Sequence, residues 1–313
     1  MIFKILAIVA FVSAPAIAKP IQALATIPDL AWLMKEIGGD DVEASSMLSG
    51  KENPHYVDAL PSYTLKAANA QIVCMVGMDL EVGYIGPILS RSGNAQVQAG
   101  SPYYCDASKR VKILDKITGP VDRSMGDVHP HGNPHYYLSP SAMSDAATEI
   151  AGILGKISSD KKPSFEKRLS TLKTKLSEIA KLNKDKLKNT DRSQSWIIEY
   201  HREFSYFYEE YELSSFGSIE EKPGIEPSAG RIAKIALEAK KAGVKVVLAT
   251  DYSPANVLKR FSEISGIPVL RVPTMIQSGT TTDTYEKVQA YIVDGLLKHL
   301  PQKKLSYAPP PKR

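Results

Sequence analysis

The chain has 313 residues, of which 43% are hydrophobic and 23% are charged. This length is typical of about two domains, and the composition excludes a disordered, collagen-like or coiled-coil protein. The 39 basic and 34 acidic side chains give a formal net charge of +5, which is spread along the chain without a dense basic block. This mild excess, without an RNP-type aromatic motif, argues against a nucleic-acid-binding protein.

The N-terminus has the pattern of an export signal. Lys4 precedes an apolar run over residues 5–12, and the small-residue site Ala16-Ile17-Ala18 follows. We therefore predict a signal peptide over residues 1–18, whose apolar core is too short to span a bilayer. No cysteine stands at the cleavage point, so we expect a periplasmic protein without a lipid anchor.

Residues 19–158 alternate short apolar segments with helix-like ones, which is the pattern of a layered α/β domain. We predict buried strands over residues 21–27 and 72–76. Three helices are predicted over residues 28–37, 61–70 and 140–157, each with a proline in its first turn.

A long amphipathic helix follows within residues 159–189. Its apolar residues recur every three or four positions from Phe165 to Leu182, which predicts one helix of roughly 25 residues, about 37 Å long. Residues 190–307 then return to alternating elements and predict a second α/β domain. Its predicted strands are 196–200, 244–248 and 269–272, and its predicted helices are 204–208, 229–242, 254–265 and 284–299. The proline-rich residues 308–313 are expected to be disordered.

The only two cysteines of the chain are Cys74 and Cys105. An oxidising compartment permits a disulfide between them, and a pair of buried free thiols is the alternative. Neither has a CxxC neighbour, which argues against a redox-active site or a cysteine-zinc site.

Histidine is scarce, with six in the chain, but three of them share one kind of position. The tetrapeptide Asn-Pro-His-Tyr occurs twice, around His55 and His135, and His201 directly follows the predicted strand over 196–200. All three precede predicted helices, and loops at the carboxyl ends of strands form ligand sites in α/β proteins. Because imidazole is the commonest metal ligand, we predict a shared metal site between the domains; the alternative is three ordinary polar loop residues.

Four sequence segments, taken in their order along the chain, carry a family resemblance. The first is Pro54-His55 with a later Pro-Ser, and the second is the strand and Gly-x-x-Leu-Glu turn over 70–81. The third is the second Asn-Pro-His segment over 132–140, and the fourth is His201 before aromatic residues. With these segments the mature chain resembles the periplasmic solute-binding proteins of zinc and manganese ABC importers. The resemblance implies two lobes, each a layered sheet with flanking helices, joined by a single long backbone helix. It also implies that His55, His135 and His201 hold the metal between the lobes.

The fourth ligand departs from the pattern of that family. Many members have an aspartate in the loop after the last strand of the second lobe, whereas this chain has Pro273-Thr274-Met275 there. Three substitutes remain open: Asp251 after the strand over 244–248, His129 ahead of His135, or water.

The resemblance implies a binding protein rather than an enzyme, which captures a divalent metal ion and delivers it to an ABC importer permease in the inner membrane. We expect a monomer. Three imidazoles with at most one oxygen ligand favour zinc over manganese, which prefers carboxylate oxygens. A zinc-dependent hydrolase is one alternative, although an HExxH motif is missing. The other is a binding protein for a metal chelate or siderophore, which predicts an aromatic or arginine-lined cleft.

Overall fold

The computed structural model describes residues 19–122 and 125–303. The predicted signal peptide over 1–18 and the predicted disordered tail over 308–313 lie outside the described residues. Within the described ranges the chain forms eight strands and nine α-helices. No helix of that part combines the length and the apolar character needed to cross a membrane.

The first four strands form one parallel sheet. These strands are β1 (Ile21–Ala25), β2 (Val42–Ser46), β3 (Ile72–Met75) and β4 (Tyr104–Asp106), and their order across the sheet is β2-β1-β3-β4. Neighbouring parallel strands must be joined by crossover connections, and in this sheet those connections contain helices. The helices of this lobe are α1 (Pro28–Gly38), α2 (Pro61–Asn69), α3 (Ile85–Ser92) and α4 (Pro140–Ile157).

The last four strands repeat this arrangement in a second parallel sheet. They are β5 (Trp196–Glu199), β6 (Ser214–Ser218), β7 (Val246–Thr250) and β8 (Val269–Val272), in the order β6-β5-β7-β8. The flanking helices are α6 (Ser205–Tyr211), α7 (Ala229–Lys241), α8 (Ala255–Ser265) and α9 (Tyr285–Leu297). The predicted α/β class with two lobes is confirmed.

A single helix of 26 residues, α5 (Lys162–Leu187), connects the two lobes. It packs against α1 and α4 of the first lobe and against α6 and α9 of the second. Lys175 on this helix lies 3.3 Å from the carboxylate of Glu36 on α1 and 2.8 Å from that of Glu286 on α9. One lysine therefore pairs with a carboxylate from each lobe.

The inner strands are buried on both faces, and the two faces belong to different apolar clusters. In β1, Ala23 and Ala25 join the largest cluster, whereas Leu24 points into a smaller one under α2 and α3. In β5, Ile197 joins the same largest cluster and Ile198 joins a separate one under α7 and α8. Because successive side chains of a strand alternate, each sheet presents one face to a core that is continuous between the lobes.

Cys74 on β3 and Cys105 on β4 are opposite each other in the strand register and form a disulfide. Both are fully buried. Of the two alternatives that the sequence leaves open, the structure has the bonded pair.

Four elements were not predicted from the sequence, namely β2, β4, β6 and α3. In addition, β7 begins at Val246 and not at residue 244. The three strands concerned are all at the edge of a sheet, where one partner strand is missing and a polar face is tolerated.

A buried aspartate on α1 binds a loop of the second lobe. The Asp29 carboxylate oxygen Oδ2 accepts a hydrogen bond of 3.1 Å from the backbone N–H of Ile276, whereas its Oδ1 is buried and has no hydrogen-bond partner among the described residues. Burial raises the pKa of Asp29 to about 7 although the hydrogen bond from Ile276 opposes that shift. Next to it, the Gln277 side-chain N–H donates to the carbonyl of Gly50 at 3.1 Å.

The raised pKa of Asp29 predicts how the stability changes with pH. Between the usual carboxyl range near pH 4 and about pH 7, the folded protein binds this proton more than the unfolded chain does, so the free energy of unfolding falls as the pH rises. Asp29→Asn keeps an acceptor for Ile276 and removes the ionisation. We therefore expect the variant to gain ~4 kcal/mol relative to wild type at pH 8, and little at pH 4.

Denaturant unfolding at pH 4, 6 and 8 measures this difference. The matched control is Asp40→Asn at an exposed carboxylate, which should follow the wild-type profile. A stability difference between Asp29→Asn and wild type that is the same at all three pH values would contradict the prediction.

Candidate metal site

Three loops bring three histidines to one point between the lobes. His55 lies in the connection from β2 to α2, His135 lies in the turn just before α4, and His201 follows β5 by two residues. One ring nitrogen from each histidine lies within 4.8 Å of those of the other two. Of the predicted site residues, the structure brings these three together.

The repeated Asn-Pro-His motif has the same local geometry in both copies. The side-chain oxygen Oδ1 of Asn53 accepts hydrogen bonds of 3.0 Å from the backbone N–H and from the ring Nδ1 of His55. Asn133 binds His135 in the same way, at 3.0 Å and 2.8 Å. The bond from the backbone N–H identifies each acceptor as an amide oxygen, so Nδ1 carries the ring hydrogen and Nε2 presents its lone pair to the cleft.

His201 has a different hydrogen-bond acceptor at Nδ1. Its Nδ1 donates to the carboxylate oxygen Oε2 of Glu220 at 2.6 Å. Burial lowers the pKa of His201, but the hydrogen bond and the charge of Glu220 outweigh it, so the pKa is raised overall. Glu220 itself is buried, being only 7% exposed.

The other converging imidazoles are held neutral by their surroundings. Burial lowers the pKa of His55 and of His135 well below the usual value, and the neighbouring histidines lower it further. The Nε2 atoms of His135 and His201 are buried without a hydrogen-bond partner in the part of the chain that the structure describes. Buried acceptors of this kind are costly unless they are satisfied, and a metal cation between them would satisfy both.

His129 lies at the edge of this group. Its Nε2 is 3.1 Å from Nε2 of His55, and burial lowers its pKa to about 4. Since Asn53 keeps the hydrogen of His55 on Nδ1, the short contact requires either a hydrogen on Nε2 of His129 or a cation shared by both nitrogens. His129 therefore contacts His55, its ring centroid also lies 6.2 Å from that of His135, and it is outside the group that the three converging histidines form.

Asp251 is not brought to the histidines. It follows β7, as predicted, but its carboxylate accepts a 3.2 Å hydrogen bond from the side chain of Gln277, and its backbone carbonyl accepts from Arg271 at 2.9 Å. Met275, in the loop after β8, is fully buried.

Two small cavities flank the histidines. One, of about 190 Å³, is bordered by His55, His201 and the carboxylates of Asp127, Glu220 and Glu226, together with Tyr56, Tyr200 and Tyr252. The other, of about 230 Å³, is bordered by His129, Asn133, His201 and Arg202. Both cavities are smaller than the 300–1,000 Å³ that is typical of organic ligand pockets.

The sequence did not identify the three side chains that hold the rings, namely Asn53, Asn133 and Glu220. The two asparagines were visible as part of the repeated tetrapeptide. Glu220 lies 19 residues beyond His201, and the sequence carries no sign of their contact.

A profile of the family described as "Zinc-uptake complex component A periplasmic" matches residues 24–299. The metal ABC transporter substrate-binding lipoprotein SsaB of Streptococcus sanguinis is 23% identical over 283 residues, which cover 90% of this chain and 89% of that protein. The manganese ABC transporter substrate-binding lipoprotein PsaA of Streptococcus pneumoniae is 22% identical over 283 residues, with the same two coverages of 90% and 89%.

Solved structures share the fold. The periplasmic zinc-binding protein TroA from Treponema pallidum superposes with a TM-score of 0.74 at 16% identity, covering 90% of this chain and 99% of that one. A crystal structure of ZnuA superposes with a TM-score of 0.73 at 20% identity, with the same coverage of 90% and 99%. The profile match spans nearly all of the described residues and confirms a binding protein rather than an enzyme. This chain belongs to the family of periplasmic zinc-uptake component A proteins, the substrate-binding components of metal ABC importers.

Proposed function

We propose that this protein captures a zinc ion in the cleft between its lobes and delivers it to the permease of its ABC importer. The observation that carries the proposal is that His55, His135 and His201 each donate from Nδ1 and turn Nε2 towards one common space. The imidazoles of His55 and His135, whose pKa values are lowered, can bind a metal without first losing a proton.

The donor set favours zinc over manganese. All three converging atoms are imidazole nitrogens, which suit zinc, whereas manganese prefers carboxylate oxygens. Zinc–nitrogen bonds of about 2.0–2.1 Å in a tetrahedral site separate the ligand atoms by about 3.3 Å. The ring nitrogens here are up to 4.8 Å apart, so binding would draw the three rings together around the ion.

We propose His129 as the fourth ligand, ahead of Asp251 and water. Its Nε2 already lies 3.1 Å from Nε2 of His55, close to the spacing of two ligands on one zinc ion. The Asp251 carboxylate would first have to leave Gln277.

The proposal includes the arrangement of the whole chain. Residues 19–158 and 190–307 are the two lobes, residues 159–189 are the connecting helix, and residues 1–18 direct export. We propose a monomer that works free in the periplasm, without the lipid anchor that the names of the streptococcal relatives record. The size of the two cavities argues for a bare ion over an organic chelate or siderophore.

Removal of one converging histidine tests this function. The mature protein should bind one zinc ion per chain and retain it in competition with manganese, whereas His135→Ala should weaken zinc binding by at least ~100-fold, because the loss of a direct ligand exceeds the usual effect of its supporting groups. Competitive titration with a chromophoric chelator measures both affinities. His131→Ala is the matched control, since this exposed histidine pairs with Asp79 outside the group. Equal affinities of His135→Ala and wild type would overturn the assignment.

The fourth ligand is tested by a pair of variants. His129→Ala should weaken zinc binding by at least ~10-fold, whereas Asp251→Ala should change it less than about twofold, because only His129 contacts a converging ring. The same chelator titration compares the two. A larger effect of Asp251→Ala would assign the position to the carboxylate, and no effect of either variant would assign it to water.

The two asparagines should matter because they fix the ring tautomers. We expect Asn53→Ala and Asn133→Ala each to weaken zinc binding by ~10–100-fold, since either change lets the ring hydrogen move to Nε2. Nitrogen-15 NMR of the histidine rings reports the tautomer, and titration reports the affinity. Asn69→Ala, at an exposed asparagine whose side chain donates to the Leu65 carbonyl, is the control. An unchanged tautomer and affinity in both variants would contradict the role.

A further inference from the structure

Glu220 uses both of its carboxylate oxygens, and each one serves a different part of the cleft. Oε2 accepts from Nδ1 of His201 at 2.6 Å, and Oε1 accepts from the backbone N–H of Gly224 at 3.1 Å. The side chain therefore binds a converging histidine and also shapes the loop over residues 221–224. A carboxylate can accept two such bonds at once, whereas an amide of the same shape can accept only one of them at its oxygen.

That loop of the second lobe receives a segment of the first lobe, residues 125–129, which we call the strap. The backbone N–H of Asp127 in the strap donates to the carbonyl of Pro223 at 2.7 Å. Gly126 has a φ of +84°, and a Cβ at this position would overlap the carbonyl oxygen of Pro223. Glycine is thus required for the strap to lie this close to the loop. His129 is the last residue of the strap.

We propose that Glu220 is a positioning residue that couples the orientation of His201 to closure of the strap across the cleft. The connection runs from the His201 ring through Glu220 to Gly224, from Pro223 to Asp127, and along the strap to His129. Strap closure and zinc retention then stabilise each other. The contacts that hold the strap against the loop also place His129 of the first lobe and His201 of the second lobe at the site. The inference rests on the proposed zinc site.

Two variants break this connection at different points. Glu220→Gln keeps the size of the side chain but cannot accept from both His201 and Gly224. Gly126→Ala leaves Glu220, His55, His135 and His201 in place and forces the strap, with His129, away from Pro223. The matched control is Gly100→Ala, because Gly100 has nearly the same φ of +88° and nothing within 4 Å of an added Cβ.

Hydrogen exchange of the Asp127 and Gly224 amides in the metal-free protein measures how firmly the strap is bound when zinc is absent. We expect exchange at least ~10-fold faster at both amides in Glu220→Gln, faster exchange at Asp127 in Gly126→Ala, and no change in the control. Stopped-flow transfer of zinc to a chelator should show ~10-fold faster dissociation from both variants. Nitrogen-15 NMR should show a changed His201 tautomer in Glu220→Gln alone.

The results separate the two proposals. If the wild-type protein fails to bind zinc, the proposed function fails, while exchange in the metal-free protein still decides whether Glu220 holds the strap. If wild type binds zinc but Gly126→Ala releases it at the wild-type rate, the coupling is overturned. Unchanged exchange at Asp127 in Glu220→Gln would overturn it as well, even if that variant loses zinc quickly.

Discussion

The hydrogen bond at Nδ1 of each converging histidine is the interaction on which the candidate site depends. Three imidazoles side by side would be unfavourable in any arrangement that turned N–H groups towards one another. Asn53, Asn133 and Glu220 prevent this, since each accepts the ring hydrogen on the side away from the cleft. The Nε2 edge of each ring then faces inward, and the orientation of each ring is fixed by bonds within its own lobe.

The inner strands of both sheets could be predicted from the sequence and most of the outer ones could not. The strands β1, β3, β5 and β7 are apolar runs, because each is buried on both faces. The edge strands β2 and β6 are rich in serine, and β4 has only three residues. An edge strand with a polar face has the same composition as a loop, and only its pairing with a neighbour makes it a strand.

The sequence predicted the candidate site only in part, as it did the strands. The sequence indicated which loops converge, because His55, His135 and His201 have repeated or strand-end contexts. It could not indicate side-chain direction. Asp251 follows its strand as expected, yet its carboxylate points to Gln277, which depends on how the loop after β8 packs on the first lobe. The contact between His201 and Glu220 likewise exists only once β5 and β6 are paired.

The continuous apolar core has a consequence for how the cargo leaves. A clamshell that opened widely at its cleft would have to separate α4 from α6, which are in contact between the lobes, and expose core side chains such as Met143 and Phe207 to water, at about 25 cal/mol for each Å². The helix α5, packed against both lobes, resists the same movement. We therefore expect metal release to depend on the loosening of a few surface loops of an otherwise stiff protein, so that a membrane partner would have to deform only those loops.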